Sequence, residues 1–221
     1  MRLYLCMFLV ITFTFNPVFS SVFLFEIKQG DNSAFVKWKT EASENGILKL
    51  DSINELEKVT HNLVCDTGYN TLRWSFEKKL ENTKYSVEEK NGELIFKGVI
   101  NGQPIDKRGE RDGLEWFQFH AFSLPQYLNT EFKEFNFVSI RPDDGKLFKL
   151  SAKYRGIEEI AVKGTMLKAI RVDVHLAGLF SNFGHVSYWF RAEDHVFVKF
   201  KGVSGFPGSS PVIYELIEMD G

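Results

Sequence analysis

The chain has 221 residues, a length that fits one domain of ordinary size or two small ones. Lys and Arg number 27 against 29 Asp and Glu, so the formal charge is −2 and argues against nucleic acid as the main partner, because phosphate binding needs a clustered basic surplus. Hydrophobic residues make up 44% and charged residues 25%, which excludes a disordered chain, and aromatic residues reach 15% with 22 Phe.

The first twenty residues have the layout of a secretory signal peptide. Arg2 is their sole charge, an apolar run follows over residues 3–15, and residues small enough for cleavage precede Ser21. This run is shorter than the roughly 20 residues that a membrane span needs, and no later segment is long and apolar enough to cross a bilayer. We predict a signal peptide over residues 1–20, with an uncleaved anchor as the alternative. We expect one β-rich domain over residues 21–221 in a periplasmic or secreted protein.

Two local predictions concern the region before residue 70. Residues 53–59 have the pattern of a short helix, with Asp51 or Ser52 as its N-cap. Cleavage before Ser21 removes Cys6, so the remaining Cys65 cannot form an intramolecular disulfide and stability must come from a hydrophobic core. The apolar neighbours of Cys65 are typical of a buried, unreactive thiol.

Alternation of apolar and polar residues is the main signal in the rest of the chain. In residues 71–77, Leu72, Trp74 and Phe76 occupy one face and polar residues the other, which is the period of a half-buried strand. Similar patterns predict strands at residues 84–88, 93–100, 104 onward, 135–140, 146–154, 157–163, 167–176, 185–191, 195–203 and 212–218.

The connections between these strands indicate antiparallel hairpins. Three dipeptides fit type I′ turns, in which both central residues need a positive φ: Asn91-Gly92, Asn101-Gly102 and Asp144-Gly145. Residues 114–128 have helical spacing, but Pro125 favours two short turns over one helix. We therefore predict a mainly β fold, an antiparallel meander forming a strongly curled sheet or half-open barrel with one or two short helices.

Three histidines are the candidates for chemistry. His175, His185 and His195 are ten residues apart on successive predicted strands, with Asp173 and Asp194 close by in the sequence. Two imidazoles and a carboxylate on neighbouring strands would suit a metal site or an acid–base pair, whereas the simpler interpretation is a solvated sheet face. Because no tight ligand spacing is present, we predict no metal ligand, no catalytic residue and no cofactor. Two isolated histidines receive no role: His61 and His120.

The aromatic excess is the better guide to function. Residues 116–122 carry rings at both alternate and helical positions, and residues 188–190 put three rings in a row, so both sheet faces carry large rings there. The second face must meet a covering segment, which residues 114–128 can supply, or a ligand or a partner. In the ligand hypothesis, rings line the mouth of a curled sheet and hold an apolar or lipid-like molecule. The predicted ligand-binding residues are Trp116, Phe119, Tyr188, Trp189 and Phe206, the last in a glycine-rich surface loop.

Several motifs support a resemblance to known proteins. They are Trp116-Phe-Gln118, Phe137-Val-Ser-Ile-Arg-Pro142, Tyr188-Trp-Phe-Arg191, Gly205-Phe-Pro-Gly208 and Tyr214-Glu-Leu216. Over residues 60–217 the chain resembles a group of uncharacterised secreted bacterial proteins. It is also distantly similar to the periplasmic domain-of-unknown-function family 3108, whose wide sheet curls like lipoprotein-carrier half-barrels. The chain departs from the group pattern at Phe206 and His185. The resemblance implies a curled envelope-protein fold and carries no catalytic signature, so no functional residue is transferred.

Three hypotheses follow. The favoured one is a non-enzymatic envelope module that binds a hydrophobic or lipid-like small molecule in an aromatic-lined concavity. The second is a metal-dependent or acid–base hydrolase that uses the region of His175, His185 and His195. The third is a structural or assembly partner of another envelope protein. Nucleic acid is not an expected partner, and no transmembrane span is expected after processing.

Overall fold

The structure is a computed structural model that describes residues 20–42, 48–54, 58–128, 132–178, 184–203 and 210–220. These ranges contain one α-helix, α1 (His120–Ser123), and two short 3₁₀ helices (Lys79–Glu81 and Leu124–Tyr127). The strands are β1 (Ser20–Gln29), β2 (Asn32–Ala42), β3 (Leu48–Asn54), β4 (Val59–Cys65), β5 (Thr71–Lys78), β6 (Thr83–Lys90), β7 (Glu93–Ile100), β8 (Gln103–Glu110), β9 (Glu115–Trp116), β10 (Glu134–Ile140), β11 (Leu147–Val162), β12 (Thr165–Leu176), β13 (His185–Arg191), β14 (Phe197–Val203) and β15 (Pro211–Asp220). No helix in the described ranges is long and apolar enough to cross a bilayer.

All of these strands belong to one sheet, in the order β8-β7-β6-β5-β4-β3-β2-β1-β15-β14-β13-β12-β11-β10-β9. Neighbouring strands are antiparallel, except that β9 runs parallel to β10. The first and last strands, β1 and β15, pair in the middle of the sheet. The two edge strands, β8 and β9, therefore follow each other along the chain, and their connection spans four residues.

The sheet curls so strongly that its two halves touch. The Tyr85 hydroxyl on β6 donates a hydrogen bond to the Pro142 carbonyl, at 2.9 Å, in the turn between β10 and β11. On β8, Lys107 Nζ donates to the Gly145 carbonyl of the same turn, also at 2.9 Å. Strands β8 and β9 do not pair with each other, so the curled sheet stays open along one seam. The predicted fold class, a mainly β, strongly curled antiparallel sheet with a short helix, is confirmed.

Two of the three predicted turns have the expected backbone. Both residues of Asn91-Gly92 have positive φ, at 54° and 86°, as do those of Asn101-Gly102, at 50° and 77°. Asp144-Gly145 lies in the predicted hairpin connection between β10 and β11, but the predicted type I′ geometry is wrong, because only Gly145 has a positive φ and the turn spans Arg141 to Lys146. Asp144 accepts hydrogen bonds from the Arg141 side chain and from the Lys146 backbone N–H at 3.1 Å, so its carboxylate organises a longer loop.

Further differences concern three segments. The predicted helix over residues 53–59 is wrong where the structure describes it, because Ile53 and Asn54 end β3 and Val59 begins β4; residues 55–57 lie outside the described ranges. Five strands, β1 to β4 and the two-residue β9, have no counterpart in the sequence prediction. The predicted strands 146–154 and 157–163 form one strand, β11, whose pairing with β12 shifts at a bulge before Gly156. The predicted pair of short turns is confirmed as α1 followed by the 3₁₀ helix Leu124–Tyr127.

The core lies on the concave face of the sheet, where the segment between β9 and β10 enters the interior. We call residues 117–128 the inner segment. Its residues Phe117, Ala121 and Leu124 belong to one large apolar cluster with Phe25 and Phe137. A second cluster lies between β3–β7 and the opposite strand β10. Cys65 is fully buried in this second cluster, as its apolar neighbours predict. The inner segment thus partly fills the curl and leaves the space described below.

Candidate functional site

A cavity of about 420 Å³ lies between the inner segment and the concave face of the sheet, and it is partly open to solvent. Its walls come from strands β1–β4 on one side and β10 and β13–β15 on the other. The inner segment contributes residues 118–121. The volume falls in the range of roughly 300–1,000 Å³ that small-molecule sites occupy.

The cavity wall is rich in aromatic rings. The six rings that line it are those of Trp38, Phe119, Tyr188, Phe197, Phe200 and Tyr214. Three pairs of these rings contact edge to face, with 5.7 Å between the centroids of Trp38 and Phe119, 5.0 Å for Tyr188 and Phe200, and 5.5 Å for Phe200 and Tyr214. Such a wall offers apolar surface with fixed geometry, which suits an apolar ligand.

Polar groups also face this space, and two of them are neutral imidazoles. His120 Nδ1 lies 3.0 Å from the Tyr188 hydroxyl, and His120 Nε2 is buried with no hydrogen-bond partner among the described residues. His61 Nδ1 accepts a hydrogen bond of 3.2 Å from the Trp74 indole N–H. Burial lowers the pKa of both histidines to about 4, because it disfavours the charged imidazolium.

A second, smaller cavity of about 200 Å³ adjoins the first. The two share Trp38, Ala121 and Phe197 as lining residues. The rings of Trp38 and Phe197 are stacked with centroids 5.6 Å apart and planes inclined by 14°. This stacked pair and Ala121 therefore separate two hollow regions of the same interior.

Two of the five predicted ligand-binding residues line the larger cavity: Phe119 and Tyr188. Trp116 is fully buried in the second cluster, where its indole N–H donates to Gln118 Oε1 at 3.1 Å. Trp189 follows Tyr188 on the same strand and therefore points to the opposite face of the sheet. There its indole N–H donates to Glu158, and the Arg171 guanidinium carbon lies 5.6 Å from the ring centroid. Phe206 lies outside the described residues.

The remaining lining residues escaped the sequence argument for three reasons. Trp38 alternates with Val36 on β2, but this period-two pattern in residues 32–42 lies outside the strands predicted from the sequence. Phe200 and Tyr214 lie in segments predicted as strands, yet ordinary alternation does not separate a ring that lines a hollow from one that packs in a core. His120 gave no local signal, because its neighbour Tyr188 is 68 residues away in the chain.

The three histidines at ten-residue spacing do not form one site. His175 and His185 are cross-strand partners, but His195 lies in the turn at the other end of β13 and lines the smaller cavity. Within the described ranges, no group of three His, Cys, Asp or Glu side chains is placed to hold a metal ion. The ten-residue spacing therefore brings His175 and His185 together but not His195, because successive antiparallel strands run in opposite directions.

Asp173, beside His185, is buried and already has several partners. Its carboxylate accepts hydrogen bonds from Ser187 Oγ at 2.7 Å, Arg155 Nε at 2.7 Å and Arg171 Nε at 2.9 Å. Burial opposes ionisation of this carboxyl, but these hydrogen bonds outweigh it and hold its pKa below the ordinary value. The network lies on the face opposite the cavity, where it ties β11, β12 and β13 together.

Comparison with known proteins gives a likeness in fold. No protein-family model matches the sequence, and no curated protein matches it. The chain is similar to the beta-barrel-like protein of domain of unknown function DUF1849 from Brucella abortus, with a TM-score of 0.60, 7% identity, and 91% of this chain and 97% of that chain covered. The two proteins share a fold, and at this identity the likeness extends no further.

Two weaker structural likenesses fall below the level that carries an argument. The hypothetical lipoprotein YmcC from Escherichia coli aligns with a TM-score of 0.42 and 10% identity, over 90% of this chain and 87% of that chain. A LolA superfamily protein from Nitrosomonas europaea aligns with a TM-score of 0.27 and 8% identity, over 91% of this chain and 84% of that chain. Similarity to family 3108 stays a prediction.

Proposed function

We propose that this protein is a non-enzymatic module of the bacterial envelope that binds a hydrophobic or lipid-like small molecule in the larger cavity. The supporting observation is a ring-lined hollow of about 420 Å³ within a curled sheet, partly open to solvent. The envelope location rests on the signal-peptide pattern of residues 1–20.

The hollow supports a binding role because large apolar side chains of the inner segment pack beside it, while small side chains line it and leave it unfilled. The inner segment already packs Phe117 and Leu124 against the sheet, and both are fully buried. The small side chains Ser52, Ala121 and Ser139 line the hollow, where larger apolar residues would close it. A ligand that removes the exposed ring surface from water gains roughly 25 cal/mol for each Å² of apolar area.

The test is binding of phenylnaphthylamine, an uncharged apolar probe whose fluorescence rises in apolar surroundings. Ala121→Phe places a ring where the two cavities meet, and we expect it to weaken probe binding about tenfold or more. Ala161→Leu enlarges an exposed alanine outside both cavities, and it should bind the probe as the unaltered protein does. Circular dichroism and thermal unfolding establish that each variant is folded. If Ala121→Phe does not fold, Ser139→Phe on β10 is the second variant that blocks the cavity.

Thermal unfolding supplies an independent readout. At a probe concentration of about 100 times Kd, binding to the folded state alone adds about 2.7 kcal/mol. For a domain of this size, 1 kcal/mol shifts Tm by about 2–4 °C, so we expect a rise of about 5–11 °C. Failure of the probe to bind, or equal binding by a folded Ala121→Phe variant and the unaltered protein, would contradict the proposal.

A further inference from the structure

We propose that the larger cavity selects an amphiphile whose polar end is an uncharged hydroxyl group, held at His120 Nε2, and rejects the ionised analogue of the same chain length. This inference rests on the proposed function and names the chemical class of the ligand.

The first supporting observation is the absence of charge on the cavity wall. Of the described residues that line it, none is Asp, Glu, Lys or Arg. The wall is aromatic and aliphatic, with hydroxyl, amide and imidazole groups as its polar part. A carboxylate or phosphate buried there would have no counter-charge, and an unpaired buried charge costs several kcal/mol.

The second observation is that the two imidazoles cannot supply the missing positive charge. His61 Nδ1 accepts from the Trp74 N–H, so this ring nitrogen carries no proton. His120 lies edge-on to Phe137, with centroids 5.0 Å apart and planes at 76°, and beside Tyr188 at 5.8 Å. Both rings are enclosed by aromatic side chains, and burial holds both pKa values near 4, well below neutral pH.

The third observation is the unused nitrogen of His120. Nδ1 faces the Tyr188 hydroxyl at 3.0 Å, while Nε2 is shielded and has no partner among the described residues. An unpaired buried polar atom costs about 1–3 kcal/mol, and a ligand that pairs with it recovers part of this cost. Other atoms of the half-buried His120 line the cavity, so a small rotation of its ring would present Nε2 to a bound molecule.

The hydrogen-bond chemistry of His120 favours a hydroxyl group. If the Tyr188 hydroxyl donates to Nδ1, the proton of the neutral ring is on Nε2, which then donates to the ligand. If Nδ1 donates to Tyr188, Nε2 accepts. A hydroxyl group both donates and accepts, so it pairs with either tautomer, whereas an ether or ester oxygen serves only the first.

The experiment compares decanol with decanoate by isothermal titration calorimetry at neutral pH, below the concentration at which either aggregates. The chains have equal length, so the comparison isolates the polar end, and the acid is ionised at this pH. We expect decanol to bind about tenfold more tightly or better. In His120→Phe, which keeps an aromatic ring against Phe137, decanol should bind about fivefold more weakly, as expected for one lost hydrogen bond.

His185→Phe is the matched control, because it makes the same substitution on the outer face, away from the cavity. It should bind decanol as the unaltered protein does. Equal or tighter binding of decanoate overturns the inference, as does a folded His120→Phe variant with unchanged affinity for decanol. Binding of phenylnaphthylamine in those cases leaves the proposed function standing. If neither decanol nor phenylnaphthylamine binds, the proposed function and this inference both fail.

Discussion

Gln118 is the residue whose replacement tests most directly how the inner segment is anchored. Its side-chain Oε1 accepts from the Ile140 backbone N–H and from the Trp116 indole N–H, both at 3.1 Å, and its Nε2 donates to the Ile140 carbonyl at 2.8 Å. Among the described residues, β9 pairs only with Phe137 and Val138 of β10. The Gln118 amide therefore takes the place of the next strand residue and satisfies both backbone groups of Ile140.

Gln118→Ala leaves three polar groups without this partner: the N–H and C=O of Ile140 and the indole N–H of Trp116. Each unpaired buried group costs about 1–3 kcal/mol. The lower end applies because Gln118 lines the cavity and water can reach its partners, so we expect a loss of about 3 kcal/mol. For a domain of this size the loss lowers Tm by about 6–12 °C.

The assay is urea unfolding together with differential scanning calorimetry at neutral pH. Gln126→Ala is the matched control, since Gln126 lies in the same segment, is half-buried, and its amide nitrogen has no hydrogen-bond partner in the described part of the chain. We expect this control to lose less than about 1 kcal/mol. If both variants lose the same free energy of unfolding, the Gln118 amide does not anchor the segment and the reasoning is refuted.

Two further predictions concern buried titratable groups. Burial lowers the pKa of His61 to about 4 from an unfolded value near 6.5. The unfolded state therefore binds a proton that the folded state does not, so the free energy of unfolding is highest above about pH 6.5 and falls as pH drops towards 4. The urea midpoint should therefore be lower at about pH 5 than at about pH 7.5, and the difference should shrink in His61→Gln; an unchanged difference would contradict this assignment. Burial also raises the pKa of the Cys65 thiol to about 12, so the native protein should not react with an aromatic disulfide reagent until denaturant is added. Rapid labelling of the native state would show that Cys65 is accessible.

Local patterns in the sequence were sufficient to predict a mainly β fold, although they did not reveal the first four strands. A strand with one face buried needs alternation within a few residues, and β6 follows it with Thr83, Tyr85 and Val87 buried. A type I′ turn needs two residues that tolerate positive φ, and Asn101-Gly102 supplies them. Both requirements concern neighbouring residues, so the sequence alone carries them. The same argument misjudged residues 53–59, because apolar spacing in a short run does not distinguish a helix from a strand end.

The identity of the cavity residues required the tertiary structure. The sequence supplied more rings than one sheet face needs, and from them we expected a ring-lined interior. Alternation alone did not say whether Tyr188 or Trp189 faced inward, and the curl of the sheet placed Tyr188 in the cavity wall and Trp189 on the outer face. Trp38 and Phe197 meet because β1 pairs with β15, and His120 meets Tyr188 because the inner segment enters the concave side. Such contacts join residues far apart in the chain, so they depend on the packing of the whole sheet, whereas strand and turn formation depends on neighbouring residues.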